Sequence, residues 1–368
     1  MLSTHLARGH GPPLASGPDE QVNEEDHWTL DLASRLEALL EIGGTALAAT
    51  GVFLVLQGLP LMNMSLMGLP SGFGARDTGA FLCAVLAGII LMPMILRRLM
   101  DGWTTGQLMG RRRVSAGKAV GAGLVVAAAL TLWSQFLLWL APEILLPAWR
   151  SLGVNRGSQL WAAVLFVAPL ATALPEELFF RGYGQGILTT RCGRGWGLLL
   201  VAGGFSLTHA GQGWSSVLLA IFPAALALGL LYEATGSILA PWVAHTATNA
   251  AAFISMGGTL VHPGAGTWIV TALMAISLAI LWGGRRQVKS GLAHLQDLGR
   301  ALGEDVRGFF LAATAGMAAL ATALFVGGLL APLLSGRAAH VLVTGLVLLG
   351  LSLLIHDRRG AGWGAGSP

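Results

Sequence analysis

The segment 173–182 places three ionisable side chains close together within an otherwise apolar stretch. These are Glu176, Glu177 and Arg181. An ionised group at membrane depth costs about 2.5 kcal/mol or more, so such groups usually mark a functional site. Glu177 and Arg181 are four residues apart, which brings their side chains together on one face of a helix. The spacing therefore predicts a structural ion pair, and it leaves Glu176, about 100° further round the helix, for chemistry.

Two further polar motifs follow, each within or at the end of an apolar stretch. Phe205-Ser-Leu-Thr-His209 ends in an imidazole, and His245-Thr-Ala-Thr-Asn249 places an imidazole and a carboxamide one helical turn apart. Each motif alone is typical of hydrogen bonding between membrane helices. Together with Glu176 they supply a base for water, a proton donor and neutral donors for an oxyanion. These are the parts of a hydrolase.

The same residues could instead bind a metal ion. Two histidines and a carboxylate could hold zinc with an open fourth position. The chain lacks, however, the His-Glu-x-x-His pairing that zinc peptidases place on one helix. A serine nucleophile is disfavoured because the sequence contains no Gly-x-Ser-x-Gly elbow. We therefore predict hydrolysis without a metal or other cofactor, with zinc as the alternative.

The composition indicates an integral membrane protein. Of the 368 residues, 54% are hydrophobic and only 11% are charged, against about 25% charged in a soluble domain. Apolar stretches near the ~20 residues that a membrane helix requires predict an all-α, polytopic membrane bundle of about ten transmembrane helices. The fourth stretch is expected to continue as a helix to Leu188. The predicted spans lie near 40–60, 78–96, 119–141, 158–176, 195–210, 214–232, 237–256, 267–283, 309–332 and 339–355.

The distribution of basic residues gives the predicted orientation. With a cytoplasmic N-terminus, 18 of the 22 Lys and Arg residues fall in the inside segments. Cytoplasmic loops carry such an excess, so both termini are predicted to be cytoplasmic. The net charge of +4 is explained by these loops and gives no reason to expect nucleic acid as a partner. The four residues left outside are Arg76, Arg150, Arg156 and Arg337.

Composition also divides the chain into five parts. A polar, acid-rich cytoplasmic tail comes first, followed by spans one to three, whose role the sequence does not assign. The polar motifs occupy the third part, and spans eight to ten the fourth. Within the fourth part, 284–308 has the leucine spacing and basic flanks of an amphipathic helix on the inner membrane surface. The five parts are 1–35, 36–157, 158–256, 257–355 and the C-terminal tail 356–368.

Taken in order, the three motifs resemble those of the CAAX-protease and bacteriocin-processing family. Its members are intramembrane glutamic endopeptidases related to the type II CAAX prenyl endopeptidase. The resemblance covers about 158–256, and all three motifs are intact. They are Glu-Glu-x-x-x-Arg-Gly from Glu176 to Gly182, Phe-x-x-x-His from Phe205 to His209, and His-x-x-x-Asn from His245 to Asn249.

The resemblance implies a role for each motif residue. It implies that Glu176 activates water with help from His209, and that His245 and Asn249 form an oxyanion hole. Glu177, Arg181 and Phe205 would support them. The implied protein is a multi-pass peptidase of a bacterial cytoplasmic membrane, acting on a peptide or a membrane-protein substrate.

Two other functions fit the same sequence. One is a catalytically silent scaffold or bacteriocin-immunity protein that binds a peptide in the same cavity. The other is a transporter, because intramembrane acids and histidines can also relay protons. A transporter should show two related halves with interrupted helices in corresponding places. This chain places its polar groups in one block, which counts against transport.

Overall fold

The computed structural model describes residues 24–58, 114–143, 145, 172–209, 213–261, 263–304, 306–330 and 337–364, and over these residues the chain is helical, without strands. The prediction of an all-α membrane bundle is confirmed. We number the helices in chain order. They are α1 (Glu24–Gly58), α2 (Ala116–Leu140), α3 (172–192), α4 (Arg194–Thr208), α5 (Trp214–Thr235), α6 (Leu239–Val261), α7 (Pro263–Gly283), α8 (Arg285–Glu304), α9 (Val306–Leu330) and α10 (Arg337–Gly364).

Three helices of the described part are long and apolar enough to cross a membrane. They are α2, α5 and the Phe310–Leu330 part of α9. A fourth span would result if two consecutive helices were counted as one. These are Thr267–Gly283 and Arg285–Arg300, which are bent by 78° at the break between them. The predicted count of ten stays a prediction. The predicted span at 78–96 and most of the one at 158–176 lie outside the described residues.

The first helix begins at Glu24, within the polar tail predicted over 1–35. Charged residues further along this helix are buried in the protein. Arg35 is buried, and its guanidinium donates to Asp31 at 3.3 Å and to the backbone carbonyl of Gly308 at 3.2 Å. Glu41, further along the same helix, is also buried. Contacts with distant parts of the chain therefore extend the helix through a polar stretch.

Helix α3 changes its winding along its length. It is α-helical over 172–177, π-helical over Leu178–Gln185 and α-helical again over Gly186–Cys192. The predicted continuation to Leu188 is thus confirmed. The helix ends at Gly193, whose φ of +80° is a conformation that glycine adopts without strain. Short π segments inside α-helices frequently occur at functional sites.

Helix α5 contains a second π segment, Val217–Ile221, just before Pro223. Proline has no N–H, so it cannot donate to the carbonyl four residues earlier, which belongs to Leu219. In this structure the indole Nε1 of Trp133, on α2, donates to that carbonyl at 2.7 Å. A side chain from a neighbouring helix thus satisfies a backbone group that the proline leaves open, as a membrane interior requires.

The helices around the motifs pack in one group. Helix α4 packs between α3 and α5, and α6 packs against α2, α5 and α7. A hydrophobic cluster joins α3 to α4 and α5 through Phe179, Phe180, Phe205 and Ala225. Helix α1 packs along α10, touches α9 and also contacts the C-terminal part of α3. Helices outside the motif region therefore reach the helix that carries the two glutamates.

Most of the predicted amphipathic segment at 284–308 lies in helix α8, and its last residues, from Val306, belong to α9. Leu298 is buried and packs against Leu198 and Leu230, and Leu302 is partly buried beside Gly195. Leu292 is exposed on the same helix. One part of the leucine stripe therefore packs on the protein, and its placement on the inner membrane surface stays a prediction.

Two adjacent glycines of α1 give a matched test of the packing between α1 and α10. A Cβ at Gly44 would lie 2.8 Å from the backbone nitrogen of Leu349, whereas a Cβ at Gly43 would meet nothing within 4 Å. We expect Gly44→Ala to lower the free energy of unfolding by about 1–3 kcal/mol through overpacking. Gly43→Ala should be neutral or stabilising by up to ~1 kcal/mol. Thermal denaturation of the two variants in detergent checks this, and equal melting temperatures would contradict the close approach.

Candidate active site

Helix α3 separates the environments of its two neighbouring glutamates. The side chain of Glu177 is fully buried, whereas the side chain of Glu176 is 27% exposed and lines a cavity. Consecutive residues of a helix point about 100° apart, so two adjacent carboxylates can face different surroundings. One of them faces packed protein and the other faces the cavity.

The predicted ion pair between Glu177 and Arg181 is confirmed. Arg181 Nη1 lies 2.9 Å from Glu177 Oε1, and both side chains are fully buried. Arg181 Nη2 also donates to the backbone carbonyl of Ala225, on α5, at 3.1 Å. The guanidinium carbon lies 4.8 Å from the centre of the Phe205 ring, which adds a cation–π contact. The pair therefore ties α3 to both of its neighbours.

Glu177 has a second partner that the sequence did not reveal. Its Oε1 lies 2.7 Å from His245 Nδ1, so one carboxylate oxygen receives both the arginine and the histidine. The other ring nitrogen of this histidine, Nε2, lies 3.7 Å from Glu176 Oε2. His245 therefore stands between the two carboxylates, with one nitrogen toward each.

His209 stands at the C-terminal end of α4. Its Nδ1 is 2.9 Å from the backbone carbonyl of Phe205 and 3.0 Å from the hydroxyl of Thr208. Because a carbonyl only accepts, the proton of the neutral ring resides on Nδ1 and Nε2 is left open. Among the described contacts, none joins His209 directly to Glu176.

Phe205 lies at the centre of these groups. It is buried, and its ring centre is 4.7 Å from that of His209 and 5.7 Å from that of His245. Phe180, on α3, meets the same ring edge-on at 5.0 Å. The supporting role that the resemblance implied for Phe205 therefore has a physical basis, because this ring touches both imidazoles and the arginine.

All four predicted catalytic residues line one cavity of about 270 Å³. A carboxylate, two imidazoles and a carboxamide thus border the same space. Part of the wall comes from α2, which contributes Trp133, a residue that no motif indicated. Four of the lining residues carry groups that could take part in catalysis: Glu176, His209, His245 and Asn249. Much of the remaining wall is apolar and is formed by Leu130, Leu145, Ala220, Ile221, Ala224, Leu228, Ala252 and Phe253.

The same donor atoms are the ones that a metal ion would use. Within the described part of the chain, no group of three or more His, Cys, Asp or Glu residues is arranged to hold a metal ion. His245 does show one feature of metal ligands, because its Nδ1 is held by a carboxylate. Its other ring nitrogen, Nε2, lies 3.7 Å from Glu176 Oε2.

Comparison with known proteins gives one match. Residues 158–251, roughly a quarter of the chain, match the family described as type II CAAX prenyl endopeptidase Rce1-like. Comparison with curated proteins finds no match, and comparison with solved structures finds none either. The matched segment contains all three motifs, so the resemblance predicted from them is confirmed for this part of the chain. Residues 158–251 are thus similar to the Rce1-like family, and this similarity supports a peptidase of the CAAX-protease type.

Proposed function

We propose that the protein is an intramembrane endopeptidase in which Glu176 activates a water molecule to hydrolyse a peptide bond. The observation that carries this proposal is the difference in burial and in partners between the two carboxylates. Glu177 is buried and bound by Arg181 and His245, whereas Glu176 borders the cavity beside two imidazoles and an amide. The exposed carboxylate is therefore the group that can meet water.

The contact with Glu177 fixes how His245 can act. An ionised carboxylate only accepts hydrogen bonds, so His245 Nδ1 carries a proton. In the neutral ring, Nε2 then holds a lone pair and cannot donate. A donor role for Nε2 toward an oxyanion, in place of the neutral donor that we expected here, therefore requires the doubly protonated ring.

Hydrolysis follows from these groups. Glu176 removes a proton from water while the water oxygen attacks the carbonyl carbon of the scissile bond. The resulting oxyanion accepts hydrogen bonds from the Asn249 amide and from protonated His245. The C–N bond then breaks as the proton passes from Glu176, by way of His209 Nε2, to the departing amine. Glu176 returns to its ionised form.

Metal-assisted hydrolysis is the chemical alternative. Zinc would use Glu176, His209 and His245 as ligands and would polarise the water itself. Two observations support the metal-free form: the sequence lacks a His-Glu-x-x-His pairing, and among the described residues no group of three or more His, Cys, Asp or Glu is arranged to hold a metal ion. We therefore propose that the protein needs no metal.

The substrate class follows from the cavity and its setting. A cavity with apolar walls in an all-α membrane protein suits a peptide or the tail of a membrane protein. We propose such a substrate, with the lipid bilayer as the surrounding medium and a bacterial cytoplasmic membrane as the location. A catalytically silent peptide-binding protein with the same cavity is the second candidate, because intact motifs also suit binding.

The proposed orientation has both termini in the cytoplasm. The excess of Lys and Arg in the inside segments motivates it. Reporter fusions after residue 105 and after residue 295 should therefore both give a cytoplasmic signal. A periplasmic signal from either fusion would overturn the orientation.

A comparison of peptide termini tests the proposed function. The membrane and secreted peptides of cells with the wild-type protein are compared with those of cells carrying Glu176→Ala. A new terminus that depends on Glu176 would identify both the activity and the substrate. Identical sets of termini would favour the silent binding protein. Cells carrying Glu143→Ala, which changes an exposed glutamate outside the cavity lining, serve as the control.

A further inference from the structure

Helix α1 lies outside the matched segment, yet it makes a polar contact with the helix that bears the two glutamates. The hydroxyl of Tyr183, in the π part of α3, donates to the carboxyl group of Glu41. Tyr183 is fully buried, and Glu41 is 5% exposed. Ala38 belongs to the hydrophobic cluster that contains Tyr183 and Phe179, and Leu39 and Ile42 of α1 pack against that cluster.

The π part of α3 is held from two sides. On the α5 side, Arg181 donates to the carbonyl of Ala225, and Gln185 donates to the carbonyl of Gly229 at 3.0 Å. On the α1 side, Tyr183 makes the bond to Glu41. A widened helical turn is less regular than an α-helix. Its rotation therefore depends on such side-chain bonds.

A chain of aromatic contacts connects this bond to the imidazoles. The Tyr183 ring lies 5.8 Å from that of Phe179, and Phe179 meets Phe180 edge-on at 4.9 Å. Phe180 contacts Phe205, which touches both His209 and His245. A rotation of the π segment would thus reach the site through rings as well as along the backbone of α3.

Stability alone does not require a polar pair at this position. Two buried partners can often be replaced together by apolar groups of similar shape at little cost in stability. A role in orienting α3 explains why a carboxyl group faces a hydroxyl here.

We propose that Glu41 is a positioning residue for catalysis, acting through Tyr183 to fix the rotation of α3 and with it the placement of Glu176. This inference rests on the proposed function. It gives the first helix, to which neither the motifs nor the family match extends, a place in the reaction.

The contact itself can be tested without a substrate. The chain contains two tyrosines, Tyr183 and Tyr232. Carbon-13 labelling of the tyrosine Cζ atoms in the full chain should therefore give two NMR signals, which Tyr183→Phe assigns. Glu41→Gln should shift the Tyr183 signal and leave the Tyr232 signal in place. An unchanged Tyr183 signal would overturn the contact.

The positioning role is tested by kinetics. The probe is an internally quenched peptide that spans the Glu176-dependent junction found by the comparison of termini. The double variant E41L/Y183F should fold but lose roughly tenfold to a hundredfold in kcat, as expected when a catalytic group is misplaced by up to 1 Å. Its KM should change little, because the peptide-binding walls are intact. Glu41→Gln, which keeps an acceptor, should restore most of kcat.

Every outcome of this experiment decides the inference. Wild-type kcat in E41L/Y183F would show that the contact is structural and would overturn the proposal. If the double variant does not fold, Tyr183→Phe alone replaces it, with the same expected loss. Thr50→Ala, an exposed change on α1, should leave kcat unchanged. If no Glu176-dependent junction exists, the proposed function fails and the positioning role fails with it, while the NMR result still reports on the contact.

Discussion

Glu176→Gln is expected to abolish turnover while the folded protein stays at its normal level. Glutamine keeps the shape of the side chain but cannot take a proton from water. Loss of a general base typically lowers the rate by about 10²–10⁴-fold. The fold should survive because Glu176 borders the cavity and the buried ion pair is made by Glu177. Initial rates on the junction peptide and thermal denaturation measure the two effects separately.

A matched control belongs with this prediction. Glu143→Gln makes the same chemical change at an exposed position that does not line the cavity. It should keep the wild-type rate. Glu176→Gln with a rate close to that of the control would remove Glu176 from the mechanism.

Glu177→Ala should have the largest effect on folding. Removing one partner of a buried ion pair leaves the other charge uncompensated, at a cost of about 3–5 kcal/mol. Arg181 is fully buried, so water cannot replace the lost carboxylate. His245 loses the acceptor of its Nδ1 proton in the same variant. We therefore expect a lower yield of folded protein, a lower melting temperature and no activity.

A double variant separates folding from chemistry at the same site. Glu177→Leu combined with Arg181→Met replaces the pair by apolar groups, a change that is often neutral for stability. This variant should recover much of the melting temperature but not the activity, because His245 is still without its orienting partner. If instead Glu177→Ala yields a stable protein that is inactive, Glu177 is catalytic and the roles of the two glutamates are reversed.

Local geometry explains which parts of the site could be predicted. The Glu177–Arg181 pair needed only a spacing of four residues on a helix, and it forms as expected. The helical class followed from the apolar composition and the length of the apolar stretches, and the predicted continuation of the fourth stretch through Leu188 agrees with α3, which extends to Cys192.

Contacts distant in sequence could not be predicted in the same way. His245 and Glu177 are 68 residues apart, and no spacing rule says which of two neighbouring glutamates a distant histidine will meet. The polar start of α1 was predicted to be a tail because its partners lie far along the chain: Arg35 donates to Gly308, and Ser34 accepts from Arg191. Trp133 was missed for the same reason. Its acceptor is the backbone carbonyl of Leu219, on another helix, which has no N–H partner at Pro223.

The most direct test of the central claim is the turnover of metal-depleted protein. Purified wild-type protein is chelated exhaustively, its metal content is measured, and its rate on the junction peptide is compared with that of untreated protein. The proposed mechanism predicts an unchanged rate at a metal content far below one ion per chain, because Glu176 itself activates the water. A rate that disappears with the loss of stoichiometric zinc, and returns when zinc alone is added, would contradict it and make Glu176, His209 and His245 ligands.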